Sequence, residues 1–138
     1  MGTQTKEEKG EEVKKYHTYF FDIDGTIFKY RQFETYEKTP AELTPGALKK
    51  ILEIRNAGHT IILTTARPEE LRLFTVSELR NAAIPYDQLV MGLARGARHL
   101  VNDMSPSKPG NRAISWNLQR DEGLAGIAVE KIEDEENA

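Results

Sequence analysis

Between residues 16 and 103 the hydrophobic positions fall into short runs separated by amphipathic stretches, the rhythm of a chain that alternates strands with helices. Residues 16–21 are rich in aromatics and read as a buried strand, and residues 61–64 form a second apolar run of strand length. Between them lies the punctuation of a helix. Thr44 is placed as N-cap, Pro45 at the first helical position, Ala47, Leu48, Ile51 and Leu52 on the apolar face, and Gly58 as terminator. A second helix is predicted to start at Pro68, with Glu69 and Glu70 favourable in its first turn, and to run through Leu71, Phe74, Leu79 and Ala82 toward Pro85. Short strands are predicted at 88–91, 99–102 and 113–118. The order implies an α/β fold, a Rossmann-like three-layer sandwich whose open, mainly parallel sheet is flanked by helices.

The two ends of the chain break this pattern. Residues 1–15 are almost free of apolar side chains and intermix Lys with Glu, so they bury too little surface to offset the entropy of ordering and read as a disordered charged tail. Residues 130–138 hold five acids and one lysine and read as an acidic C-terminal tail. A single domain over 16–129 remains, and a chain of 138 residues leaves no room for a second.

Composition narrows the class. With 38% hydrophobic and 30% charged residues the chain reads as soluble, and no apolar run approaches the about eighteen residues needed to span a bilayer. The charged N-terminus lacks the apolar core of a secretory signal, and a cytoplasmic location is the expectation. The absence of cysteine excludes disulfides, thiolate metal sites and a cysteine nucleophile. The acidic tail accounts for the net charge of −3, leaving a nearly neutral body with no basic face to attract nucleic acid.

Chemistry is concentrated where the first strand runs out. Asp22 and Asp24 stand one residue apart in Phe-Asp-Ile-Asp-Gly-Thr, just before a glycine turn. Like charges this close raise each other's pKa unless a cation sits between them, so the pair calls for a shared proton or a bound metal. The plain alternative is an Asp-Gly turn capped by Asp22. In open parallel sheets ligands gather at the carboxyl ends of strands, and Asp22, Thr65 and Asp103 all fall at such ends in the predicted layout.

The segment Asp22-Ile23-Asp24-Gly25-Thr26 resembles the first motif of the haloacid dehalogenase superfamily, most of whose members are magnesium-dependent phosphohydrolases. The run from Ile61 to Arg67 resembles that family's second motif, and Leu100-Val101-Asn102-Asp103 its fourth; the likeness covers residues 17–103. It implies Asp22 as a nucleophile that forms an aspartyl-phosphate and Asp24 as general acid and base. It also implies Mg2+ held by Asp22, the Asp24 carbonyl and Asp103, the ion offsetting repulsion between the anionic nucleophile and phosphate. Thr65 would bind the phosphate near the start of the second helix, with Thr64 as its competitor. Arg67 is assigned either to the substrate or to a surface ion pair with Glu70, and Asp103 and Asn102 either to the ion or to a turn cap.

The third-motif lysine has no counterpart, because no lysine occurs between Ala66 and Asp103. Arg98 is the preferred substitute through its bidentate fork, with Arg95 and Lys108 as rivals. Ser107 stands where a further fourth-motif acid is common. No interval holds a cap domain, so the implied enzyme is a small capless type that acts on a phosphate monoester such as a sugar phosphate, with a second subunit of a homo-oligomer as one candidate lid. A flap at 28–40, with Phe28, Tyr30, Phe33 and Tyr36 among Lys29, Arg31 and Lys38, is read as packing onto the sheet, with sugar or nucleic-acid binding as the alternative. His17, His59 and His99 read as structural, and Trp116 as core or subunit interface. Two other readings stand beside the enzyme. One is a catalytically weakened domain that binds a phosphorylated ligand or partner protein, and the other is a phosphoacceptor signalling domain.

Overall fold

The computed structural model describes residues 15–32, 35–107 and 110–132. Three strands, β1 (Thr18–Asp22), β2 (Thr60–Thr64) and β3 (Gln88–Val90), form a parallel sheet in the order β1-β2-β3. Helix α1 (Ala47–Asn56) connects the first two strands, and a 3-10 turn (Glu69–Leu71) leading into α2 (Arg72–Asn81) connects the last two. This is the α/β, Rossmann-like layout, with the sheet open at β1 among the described strands.

The register explains how the site is assembled. Asp22 lies opposite Thr64, and Thr64 opposite Val90, so the three parallel strands end side by side. In β2 the alternation is that of a half-buried strand, with Ile61 and Leu63 fully inside. β1 departs from the expected buried strand: Phe21 is inside, but Phe20 on the opposite face is 56% exposed.

Helix α1 buries Ala47, Ile51 and Ile54, spaced by four and three residues as one helical face requires. Its start differs from the expectation. Gly46, in the left-handed region at φ 69°, precedes the helix, and no side chain caps it. The Thr44 hydroxyl instead donates to the Thr26 carbonyl at 2.7 Å, and the Thr44 amide donates to Ile27, so the residue expected to cap a helix ties the first-motif loop to the core. Leu52, expected on the apolar face, is exposed, and Ile54 takes that role.

The core joins Phe21, Ile23, Ile27 and Phe28 to α1, β2, Leu79 and Ile84, and is closed by Leu124 and Ile127 from the far end of the chain. The return of that end is stitched by hydrogen bonds. Lys50 donates to the Ile127 carbonyl, Tyr19 to Ala128, and the Glu130 amide to the Tyr19 hydroxyl. His59 is buried and structural, accepting from the His17 amide through Nδ1 and meeting the Glu130 carbonyl through Nε2 at 2.7 Å.

The strands expected at 99–102 and 113–118 are not formed; both stretches are exposed and irregular. In the first, adjacent Leu100 and Val101 would point to opposite faces of a strand, so neither face gains an apolar pair. In the second, Ile114, Trp116 and Leu118 alternate correctly, but no strand edge pairs with them and all three stay exposed. Trp116 is therefore not a core residue, and His99 does not sit in a strand.

Candidate active site

Asp22 closes β1 and projects where the sheet opens. Its side chain is 50% exposed, and its nearest cation is Arg98, with Nη2 3.9 Å from Oδ1, longer than a hydrogen bond. Partial burial pushes its carboxyl above the ordinary carboxylate range, and the Asp24 charge adds to this against a backbone hydrogen bond at Ile23 and the pull of Arg98 and Arg67. Its ion pair with Arg98 is a long one, in contrast to the short pair made by Asp24.

Asp24 has the opposite environment. The chain turns sharply after it, with Gly25 at φ 89° and the Ile23 carbonyl accepting from Thr26, Ile27 and Phe28. Its carboxylate faces inward onto Arg67. Arg67 Nη2 donates to Oδ1 at 2.8 Å and Nε to Oδ2 at 2.9 Å, a two-point fork, and the Tyr36 hydroxyl donates to Oδ2 at 2.9 Å.

Arg67 is 1% exposed. Its Nη1 donates to Thr75 and to Glu78, both at 2.9 Å, and the guanidinium carbon lies 4.5 Å from the centre of the Tyr36 ring. Burial opposes its charge, but the carboxylates of Asp24 and Glu78 outweigh that and hold its pKa above the ordinary value. The surface pair with Glu70 is not made; the partners are Asp24 and Glu78. Glu78 also pairs with Arg31 at 2.9 Å, and Arg31 donates to the carbonyls of Tyr36 and Thr39. The described part of the flap thus packs inward, through Phe28, Arg31 and Tyr36. Phe33 lies outside the described residues. The Tyr36 hydroxyl is pushed up to about 12 by burial and then by the charge and hydrogen bond of Asp24, so it stays a donor across the working range.

The two threonines diverge as alternation requires. Thr65 is buried, and its Oγ1 accepts the Arg67 amide at 3.0 Å, shaping the turn that delivers Arg67. Thr64 is partly exposed beside Asp22 and donates to the Phe21 carbonyl. Arg98 and Arg95 lie in the exposed stretch that follows β3, where only Arg98 is recorded near Asp22; Lys108 lies outside the described residues. Asp103 is exposed in the same irregular stretch, because the strand expected to carry it is missing. Among the described residues no three acidic or histidine side chains gather into a metal cluster.

Magnesium is commonly held by one or two protein oxygens, with water and substrate phosphate completing the octahedron. Two oxygens are of the right chemical kind: the Asp22 carboxylate, held only by a long ion pair with Arg98, and the Asp24 carbonyl, which accepts no hydrogen bond among the described residues.

Thr75 and Glu78 were not singled out by sequence reasoning, and Arg31 and Tyr36 were read only as part of the flap. The legible signal was on α2, where Thr75 and Glu78 share a face with buried Leu79 at helical spacing, an inward polar pair that needs a partner.

No protein-family model matches the chain, and no curated protein matches it. It is similar to a chain in the structure of a Pnkp1/Rnl/Hen1 complex, at 19% identity and a TM-score of 0.47, over 64% of this chain and 33% of that one. It is also similar to a structural-genomics target from Vibrio cholerae, at 17% identity and a TM-score of 0.44, over 63% of this chain and 79% of that one. The chain therefore spans about a third of the length of the first.

Proposed function

We propose that the protein is a magnesium-dependent phosphatase of the haloacid dehalogenase type, hydrolysing a phosphate monoester such as a sugar phosphate through an aspartyl-phosphate on Asp22. The observation that carries this reading is the contrast between the two acids: Asp22 stands open at the carboxyl end of a parallel strand, while Asp24 is held beside it. An open carboxylate held only by a long ion pair suits attack; a fixed one suits proton transfer.

In the first step an Asp22 oxygen attacks phosphorus, the ester P–O bond breaks, and the leaving oxygen takes a proton from Asp24. In the second, Asp24 removes a proton from water as its oxygen attacks phosphorus, and the Asp22–phosphorus bond breaks, restoring both acids. Asp22 and the Asp24 carbonyl would hold the metal, which supplies charge neutralisation between nucleophile and phosphate. Arg98, whose Nη2 lies 3.9 Å from Asp22 Oδ1, is the residue we assign to the phosphate oxygens.

A second reading, a domain that keeps the fold and binds a phosphorylated ligand without turning it over, is favoured by the exposed position of Asp103. Hydrolysis of a generic aryl phosphate separates the two. The enzyme reading predicts turnover that requires Mg2+, is lost in Asp22→Asn, and is reduced by Arg98→Ala. Binding of phosphate esters with no turnover by the wild-type chain would favour the second reading.

A further inference from the structure

We propose that Arg67 and Tyr36 are positioning residues that aim Asp24 for proton transfer, so that Arg67 serves the reaction through Asp24 and not by contact with the substrate phosphate. This rests on the phosphatase reading above.

A guanidinium has five N–H donors and two faces. In Arg67 four of the five are taken, Nε and one Nη2 hydrogen by Asp24 and the two Nη1 hydrogens by Thr75 and Glu78, and Tyr36 lies against a face. With 1% of the side chain exposed, no edge is turned to the opening where Asp22 stands. The one Nη2 hydrogen left over is buried with the rest of the side chain, so a phosphate would have to open this packing to reach the guanidinium.

The same contacts fix the orientation of Asp24. Oδ2 takes two donors, Arg67 Nε and the Tyr36 hydroxyl, whereas Oδ1 takes Arg67 Nη2. A carboxylate offers about four lone-pair directions. The grip therefore loads Oδ2 and leaves Oδ1 the oxygen with room for the transferred proton. Glu78 secures both arms: it pairs with Arg67, and it pairs with Arg31, which holds the Tyr36 and Thr39 carbonyls and so the stretch of chain carrying Tyr36. Misplacing an acid by about 1 Å is enough to cost on the order of a hundredfold in rate.

The test compares two esters that differ in their need for an acid. An alkyl phosphate leaves poorly without a proton, whereas dinitrophenyl phosphate leaves readily without one. Tyr36→Phe removes a single hydroxyl, and Arg67→Lys keeps the charge but loses the fork. Both variants are predicted to lower kcat for the alkyl ester by about tenfold or more, with KM held and with formation of the phosphoenzyme from dinitrophenyl phosphate little changed. If Arg67→Lys does not fold, Tyr36→Phe carries the test alone. A rise in KM shared by both esters in Arg67→Lys, with Tyr36→Phe indistinguishable from wild type, would overturn the assignment and return Arg67 to the substrate. A wild-type chain that turns over neither ester would instead overturn the phosphatase reading beneath it.

Discussion

At the scale of single residues, the role proposed for Asp22 and its contribution to stability oppose each other. Its carboxyl is raised above the ordinary range, so ionising it favours the unfolded chain, where the group loses its proton more easily. Below the ordinary carboxylate range Asp22 is neutral in both states and contributes nothing adverse; as pH rises through its folded pKa, the wild-type chain loses stability. In chelator-treated protein Asp22→Asn should therefore unfold at a higher temperature than wild type at neutral pH, and the gap should close in acid. Thermal melts across pH check this. A variant less stable than wild type at neutral pH would mean that the Asp22 carboxylate is a stabilising partner in the fold. Asp24 shows why such residues were only half legible from sequence. The Asp-x-Asp-Gly-Thr spacing marked both acids, but what distinguishes them is Arg67, forty-three residues away and brought in by the turn after β2.

At the scale of elements, α2 does more than cover the sheet. Thr75 and Glu78 put polar atoms on its inward face, and these receive two arginines from different parts of the chain. Removing one partner from a buried ionic network leaves charge uncompensated, so Glu78→Ala is predicted to destabilise the fold by about 3 kcal/mol or more, read from urea unfolding. Glu53→Ala, which breaks only a long, exposed contact to Lys50, should change stability by no more than about 0.5 kcal/mol. Equal effects would show that the network is not an internal support. The helix itself was legible from its apolar spacing and acidic first turn, though it opens with a 3-10 turn at Glu69–Leu71 and reaches α geometry only at Arg72. Its polar partners were not, because Arg67 followed closely by Glu70 looks in sequence like a local pair. Burial decided otherwise: a guanidinium turned inward needs inward acids, and Glu70 is on the exposed side.

At the scale of the whole molecule, the parallel sheet brings the ends of β1 and β2 together with the turn carrying Thr65 and Arg67, and the return of the chain through Leu124 and Ile127 locks that arrangement from behind. The α/β layout was readable because each of its three strands is a short run with β-forming residues between turn signals. The irregular stretch from 94 to 118 was misread as containing strands, since period-two alternation shows which face a strand would present but not whether an edge is available to pair with it. No described helix is long and apolar enough to cross a membrane.

The central claim is that Asp22 accepts a phosphoryl group, and intact-mass analysis after incubation with Mg2+ and a phosphate ester, quenched in acid, tests it most directly. The account predicts a mass increase of one phosphoryl group that maps to Asp22 and is missing in Asp22→Asn. Turnover of the ester with no phosphorylated chain at any time after mixing, or a phosphoryl group mapped to another residue, would contradict it.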